Sequence, residues 1–300
     1  MNFGLLFFLR ACTPILFIVL CLTACQRDHK SNKTLLTISS NTDTLIAGFK
    51  FVKVKAGPYL HGPENKIERI TYDYLIMKYE VTNLQYYNYL VQQLSDKKVW
   101  VQNGRVFKKI LGISGLTDSV YSIKVLNSAI GFANDSFYIN PNFANHPVIA
   151  INWIGCADFC QTNRLLLPTP GEWEKAARGV TGFQYPWGND IDKRYANYRN
   201  SNDPFEPGTT PVGYFNGQTH NGFETKDASS PYGCYDMAGN AWEYLDNYLT
   251  DPGMGGAGGG FNYHTAAFVC VYNINCFGIG IGEKNIERCD TADGFRAVIR

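Results

Sequence analysis

Charge is what this chain has little of. Asp, Glu, Lys and Arg make up 18% of its 300 residues, the signs nearly cancel at +1, and the lysines and arginines form no run. A nucleic acid partner calls for a basic patch or stripe, so none is expected. Histidine is sparse, at five residues. Apart from the cysteine-bearing segment around Cys270, no cluster has the spacing of a metal enzyme or of a nucleophile with its base. The apolar run Ala11–Thr23 is too short for a comfortable membrane span. What the chain has instead is 45% hydrophobic residues, 14% aromatics and 29 glycines. That composition describes a loop-rich globular body pinned by rings, long enough for one large domain or two modest ones.

Met1–Cys25 reads as a targeting segment outside the fold, with Arg10 closing a short basic region. It ends in Leu22-Thr23-Ala24-Cys25, which resembles the bacterial lipobox, whose cysteine becomes the lipidated first residue after cleavage. An ordinary signal peptide with an incidental cysteine is the alternative. A diacylated Cys25 carries more than one acyl chain, enough for stable membrane anchoring. Gln26 rather than Asp follows it, so no inner-membrane retention signal is visible and the outer membrane of the cell envelope is the expected location. Residues 26–47, rich in Ser, Thr, Asn and Lys, read as a tether. Six cysteines remain beyond the anchor: Cys156, Cys160, Cys234, Cys270, Cys276 and Cys289. Their pairing cannot be deduced from sequence. Cys156 and Cys160, one helical turn apart, read as small core-facing apolar residues.

Along the body, Phe51–Val54 alternates as a strand, Ala56–Gly62 turns out of it, and Tyr72–Met77 is a second strand. Thr82 caps a helix whose stripe Leu84, Tyr87, Val91 and Leu94 is expected to face the core. Val99–Val101 and Val106–Ile110 flank Asn103-Gly104, a two-residue hairpin signal. Asn152 caps a helix to about Asn163. Thr169-Pro170-Gly171-Glu172 is a capping box with proline at the first helical position, and Gly179 ends that helix behind Trp173, Ala176 and Ala177. Asn189–Phe223 is polar and loop-like.

The stretch Ser230–Tyr244, SPYGCYDMAGNAWEY, is too irregular for a helix or strand. Gly233 and Gly239 allow backbone angles closed to other residues, and Tyr232, Tyr235 and Trp242 are large rings that need packing. Asp236 and Glu243 have the chemistry to ligate a hard cation together with nearby carbonyls, or to cap a well-packed loop. This stretch resembles the G-L-Y-D-M-x-G-N-V-W-E-W signature of the formylglycine-generating enzyme, or sulfatase-modifying factor, family. So do Lys78–Tyr86 (KYEVTNLQY), His146–Trp153 (HPVIAINW), Leu166–Gly179 (LLPTPGEWEKAARG), Tyr185–Gly188 (YPWG) and Gly294–Arg296 (GFR), in the family's order. The resemblance implies a single α+β domain over 48–300 with a C-type-lectin-like core and long loops, residues 95–145 being an insertion expected on the surface. It also implies two structural calcium sites. One falls on Asn197, Tyr198, Asp203 and Phe205; the other falls on Asp236 and Glu243 with the carbonyls of Gly239 and Ala241.

Catalytic members of that family oxidise a substrate cysteine with oxygen and copper, using two cysteines five residues apart after an R-G-G-S motif. Thiolates hold monovalent copper as no other side chain does. In Gly258–Phe268 (GGGFNYHTAAF) the serine is Gly260, no arginine precedes the glycines, and the two cysteine positions fall on Tyr263 and Phe268. Copper is therefore not expected. A slipped register offers Cys270 and Cys276, six apart, as weak catalytic candidates. The expected function is a non-catalytic, lipid-anchored envelope protein that binds a protein or glycan through Tyr263, His264 and Phe268. Two alternatives stay open. One is a formylglycine-generating or related copper oxidase. The other is a surface protein diversified by a retroelement, since Phe261–Asp293 is idiosyncratic between preserved flanks.

Overall fold

The computed structural model describes residues 43–249, 256–262, 266–273, 287 and 289–300. Side-chain oxygens start its helices where the sequence places them. Thr82 accepts from the Gln85 N–H while the Gln85 side chain takes the Thr82 N–H, launching α1 (Asn83–Ser95). Asn152 accepts from Gly155 N–H at the head of α2 (Trp153–Thr162). Thr169 and Glu172 close a second reciprocal box on α3 (Pro170–Arg178), and Gly179 ends it at φ 57°. Each box satisfies two donors that a helix end otherwise leaves bare.

The core face of α1 departs from expectation only in part, since Tyr87 and Leu94 pack, partly buried, against the core. Leu84 and Val91 are each 40% exposed, and the buried face is Asn83, Tyr86, Tyr89, Leu90 and Gln93. Polar groups reach the inside because each finds partners there. The Asn83 amide donates to the carbonyls of Phe143, His146 and Pro147, and Gln93 accepts from Lys108 Nζ at 2.8 Å. Tyr86 stacks on Phe159 of α2, centroids 5.6 Å apart, and Tyr89 meets the same ring edge-on.

Strands β1 (Thr44–Ile46) and β2 (Phe49–Val54) turn on Ala47-Gly48, so ordered structure begins inside the stretch read as tether. Most of the expected turn Ala56–Gly62 is strand β3 (Gly57–His61), paired with β4 (Lys66–Ile70) in an isolated hairpin. An edge of that kind tolerates Pro58, which cannot donate to a ladder. Strand β5 (Tyr74–Met77) pairs with β2.

The insertion is not a surface excursion. Strands β6 (Val99–Gln102) and β7 (Arg105–Ile110) join through Asn103 and Gly104 at φ 48° and 70°, the turn whose twist suits a hairpin. They are followed by β8 (Ser119–Val125), β9 (Ile130–Ala133) and β10 (Ser136–Ile139). Val106, Ile110, Ile123, Ile130 and Phe137 from these strands share one buried cluster with Phe51, Phe159 and Phe295. Lys108 Nζ of β7 meets Asp158 of α2 at 2.6 Å inside it. Burial of this much apolar surface ties residues 95–145 to the core.

Beyond α3 the chain is irregular, interrupted by the short pair β11 (Thr219–His220) and β12 (Phe223–Glu224). Rings hold it: Trp187 stacks between Tyr185 and Tyr195 at 5.6 and 5.1 Å. Strand β13 (Trp242–Tyr244) lies between antiparallel β14 (Gly256–Ala257) and parallel β15 (Asp293–Gly294). Finally β16 (Val298–Ile299) pairs with β5, giving a sheet in the order β1-β2-β5-β16. The fold is α+β with many small sheets, as expected. No helix among the described residues is long and apolar enough to cross a membrane.

Candidate functional site

The irregular stretch before β13 is held by buried carboxylates, one paired with a guanidinium and two met by amide N–H groups. Gly239 sits at φ 83°, and a Cβ there would lie 2.2 Å from the Asn197 carbonyl oxygen, so only glycine lets these two loops touch. The next N–H, of Asn240, donates to that same carbonyl at 2.8 Å. Asn240 Nδ2 and Ala241 N–H both donate to the Glu80 carboxylate, at 2.7 and 3.0 Å. Glu243 takes the Arg296 guanidinium in a fork, at 2.6 and 2.7 Å, and the Trp173 indole N–H at 2.9 Å. Arg296 spends its remaining donors on the carbonyls of Met77, Lys78 and Tyr235. Bidentate geometry and a filled donor set offset the desolvation of ions this deeply buried. Burial drives the Glu80 carboxyl well above the usual range, with the nearby charges of Asp236 and Glu243 adding to it and Arg296 opposing. Burial likewise pushes Asp236 up to about 6, against the Gly213 N–H that donates to it at 2.6 Å.

The residues expected to hold calcium divide on this geometry. In the second set, Glu243 has both oxygens on Arg296 and Trp173, so the positive charge beside it is a guanidinium. In the first set, Asp203 is buried, accepts from Ser201 Oγ and Phe205 N–H, and makes no ion pair among the described residues. Burial raises its carboxyl above the ordinary range. The carbonyls of Tyr198 and Phe205 turn onto Ser201 and Gly208, while the Asn197 amide donates to Gly208. Asp203 is thus a buried carboxylate without an ion pair among the described residues, and the carbonyls expected beside it already accept from Ser201 and Gly208 N–H groups. Among the described residues, no three or more His, Cys, Asp or Glu side chains are arranged to hold a metal ion.

The glycine run leads to the expected binding face. Gly259 adopts φ 73°, and a Cβ there would sit 2.8 Å from the Phe268 carbonyl and 2.6 Å from a Val269 methyl. Its bareness lets the short helical turn Ala266–Val269 pack against the run and present Phe268, 45% exposed. Phe268 lines a hollow of about 320 Å³ with Pro63, Cys270, Tyr272 and Asn273. The Asn273 amide donates to the Phe268 carbonyl at 2.9 Å, and the Arg178 guanidinium lies 5.3 Å from the Tyr272 ring centre. Cys270 is buried at 3% exposure, and burial raises its thiol, a poor setting for a reactive thiolate. Phe268 and Cys270 are therefore brought together. Tyr263, His264 and Cys276 lie outside the described residues, as does Cys25. Sequence reasoning missed Pro63 and Tyr272, which join the hollow from distant chain positions. It also left Glu80 unassigned, although that residue lies inside a quoted motif.

The model of the sulfatase-modifying factor enzyme 1-like domain matches residues 39–295. A serine/threonine-protein kinase pkn1 of Chlamydia caviae is 34% identical over 47% of this chain and 21% of its own. A formylglycine-generating enzyme of Thermomonospora curvata is 36% identical over 35% of this chain and 34% of its own. An inactive C-alpha-formylglycine-generating enzyme 2 of Bos taurus is 35% identical over 33% and 32%. The matched region thus spans between a fifth and about a third of these relatives' lengths. By fold, PvdO from Pseudomonas aeruginosa superposes with a TM-score of 0.56 at 17% identity, over 87% of this chain and 98% of that one. Treponema denticola variable protein 1 gives 0.52 at 17%, over 88% and 100%. With the family model covering most of its length, and the Glu80, Glu243 and Arg296 network built from the motifs that carry the likeness, the chain belongs to the sulfatase-modifying factor enzyme 1-like domain family.

Proposed function

We propose that this is a lipid-anchored protein of the bacterial cell envelope whose domain binds a protein or glycan partner instead of oxidising a cysteine. The carrying observation is Phe268. An exposed ring stands over the hollow at a position where catalytic relatives would need a copper-binding thiol, and phenyl cannot replace it. Exposed aromatics beside a hollow are what partner surfaces use for anchorage. The anchor rests on Leu22–Cys25, and the polar stretch after it supplies reach. In this reading Phe268→Ala abolishes capture of a partner on peptide and glycan arrays without unfolding the domain. The decisive control is copper loading with oxygen uptake on a cysteine-containing peptide. Turnover that disappears in Cys270→Ser or Cys276→Ser would replace the binding role with an oxidase.

Calcium belongs to the same reading, at the Asn197–Phe205 loop rather than at Glu243. There the ion supplies the positive charge that Asp203 lacks, held by its carboxylate with the Asn197 side chain and the carbonyls of Tyr198 and Phe205. Calcium at a hundred times its Kd adds about 2.7 kcal/mol of stability. The shift should vanish in Asp203→Asn and persist in Asp236→Asn; the reverse pattern moves the ion to the other loop.

A further inference from the structure

A second hollow lies away from Phe268, where the insertion meets α2. It is an open-sided hollow of about 660 Å³ between the loop Gly112–Gly115 and the helix. Ile113, Trp153, Ala157, Cys160, Leu165 and Leu167 line it. The Trp153 indole N–H is already directed at the Leu245 carbonyl, and burial raises the Cys160 thiol, so it behaves as an apolar group. Leu166, 47% exposed, carries the apolar surface out to the mouth. Two charges stand on the lining. Asp246 is answered by Arg300 at 3.5 Å. Arg164, exposed and set by a left-handed backbone at φ 58° just past the end of α2, makes no ion pair or side-chain hydrogen bond among the described residues.

We infer that this cavity binds a single-chain amphiphile with an anionic head, of the fatty acid class, with its tail inside and its carboxylate on Arg164. The volume is that of a small-ligand site. A hydrocarbon tail gains by burial against these side chains and has no polar groups to satisfy. Apart from Ser114 and Gln161, the uncharged side chains of the lining offer a peptide's N–H and C=O groups no partner, whereas a hydrocarbon tail needs none. A guanidinium at the mouth matches a carboxylate in two parallel hydrogen bonds and gives a neutral or cationic head no such reward. Because the insertion builds one wall, the site is independent of the Phe268 face and of whether the domain is catalytic.

The test is titration of the full chain, carrying Cys25→Ser so that no acyl chain of its own competes, with straight-chain fatty acids below their micelle concentrations. Affinity should rise about fourfold per added methylene until the cavity is full. Arg164→Gln should weaken decanoate about tenfold and leave decanol unchanged. Ala157→Phe, which fills the hollow, should abolish binding of both; if that variant does not fold, Ala157→Leu should weaken both at least tenfold. Absence of saturable binding overturns the inference, as does binding that neither Ala157 variant disturbs. Equal loss for decanoate and decanol in Arg164→Gln removes the head-group assignment. A peptide with an apolar C-terminus that binds where decanoate does not reassigns the cavity to a protein partner and refutes the proposal.

Discussion

Arg296 and Lys124 are both fully buried cations, and they are treated in opposite ways. Burial by itself lowers the affinity of each for its proton. At Arg296 the Glu243 carboxylate outweighs that and raises it. Lys124, on β8 of the insertion, has the Ile149 carbonyl at 2.6 Å, and burial takes it down to about 8 despite the thiols of Cys289 and Cys156. Arg296 is therefore a buried cation met by a carboxylate, whereas Lys124 of the insertion, like Lys175 of α3, is one met only by carbonyls among the described residues. The fold rests on the first arrangement and tolerates the second.

The contrast breaks most sharply at Arg296→Met. It strands Glu243 without a counter-charge, and urea denaturation should show a loss of about 3–5 kcal/mol. A loss below about 1 kcal/mol would mean that the paired network contributes nothing special. Next comes Thr169→Ala, which opens the box holding Glu172, the partner of Arg300 at 2.7 Å. About 1 kcal/mol should be lost by the same measurement.

Lys124→Met is expected to be neutral or to gain up to about 1 kcal/mol at pH 7, since a poorly met charge leaves the core but the Ile149 carbonyl loses its donor. The sign with pH follows from the lowered value. Between about 8 and the unfolded value near 10.4, the unfolded chain holds the proton more tightly. The penalty in the native chain is therefore full below pH 8 and fades as pH rises toward 10.4, and wild type should gain in thermal midpoint relative to the variant over that window. A gap independent of pH refutes the reading of Lys124. Phe268→Ala sits at the small end, within about 0.5 kcal/mol in stability because the ring is half exposed. Its effect belongs to binding.

What could be read in advance follows the range of the interactions. Caps at Thr82, Asn152 and Thr169, the stop at Gly179 and the Asn103-Gly104 turn are local chemistry, complete within a few residues, and they stand where the sequence puts them. The face of α1 could not be read that way. Leu84 and Val91 follow helical spacing, but Asn83 and Gln93 go inside because their partners, 60 and 15 positions away, come to meet them. Glu80 and Asn240 are 160 positions apart, so neither motif alone discloses that the two are bonded. Phe268 lies in the stretch that the family pattern singles out, whereas Pro63 and Tyr272 join its hollow only through folding.

The seam between β5 and β16 imposes an order of assembly. Arg296 reaches back to the Met77 carbonyl across 219 positions, and Val298 pairs with Ile76 beside it. Until residues 298–299 are in place, β5 keeps one bare edge, and a bare edge is a template for the wrong neighbour. Contacts this distant also form slowly. That edge therefore stays exposed until the strand holding Val298 has docked on it.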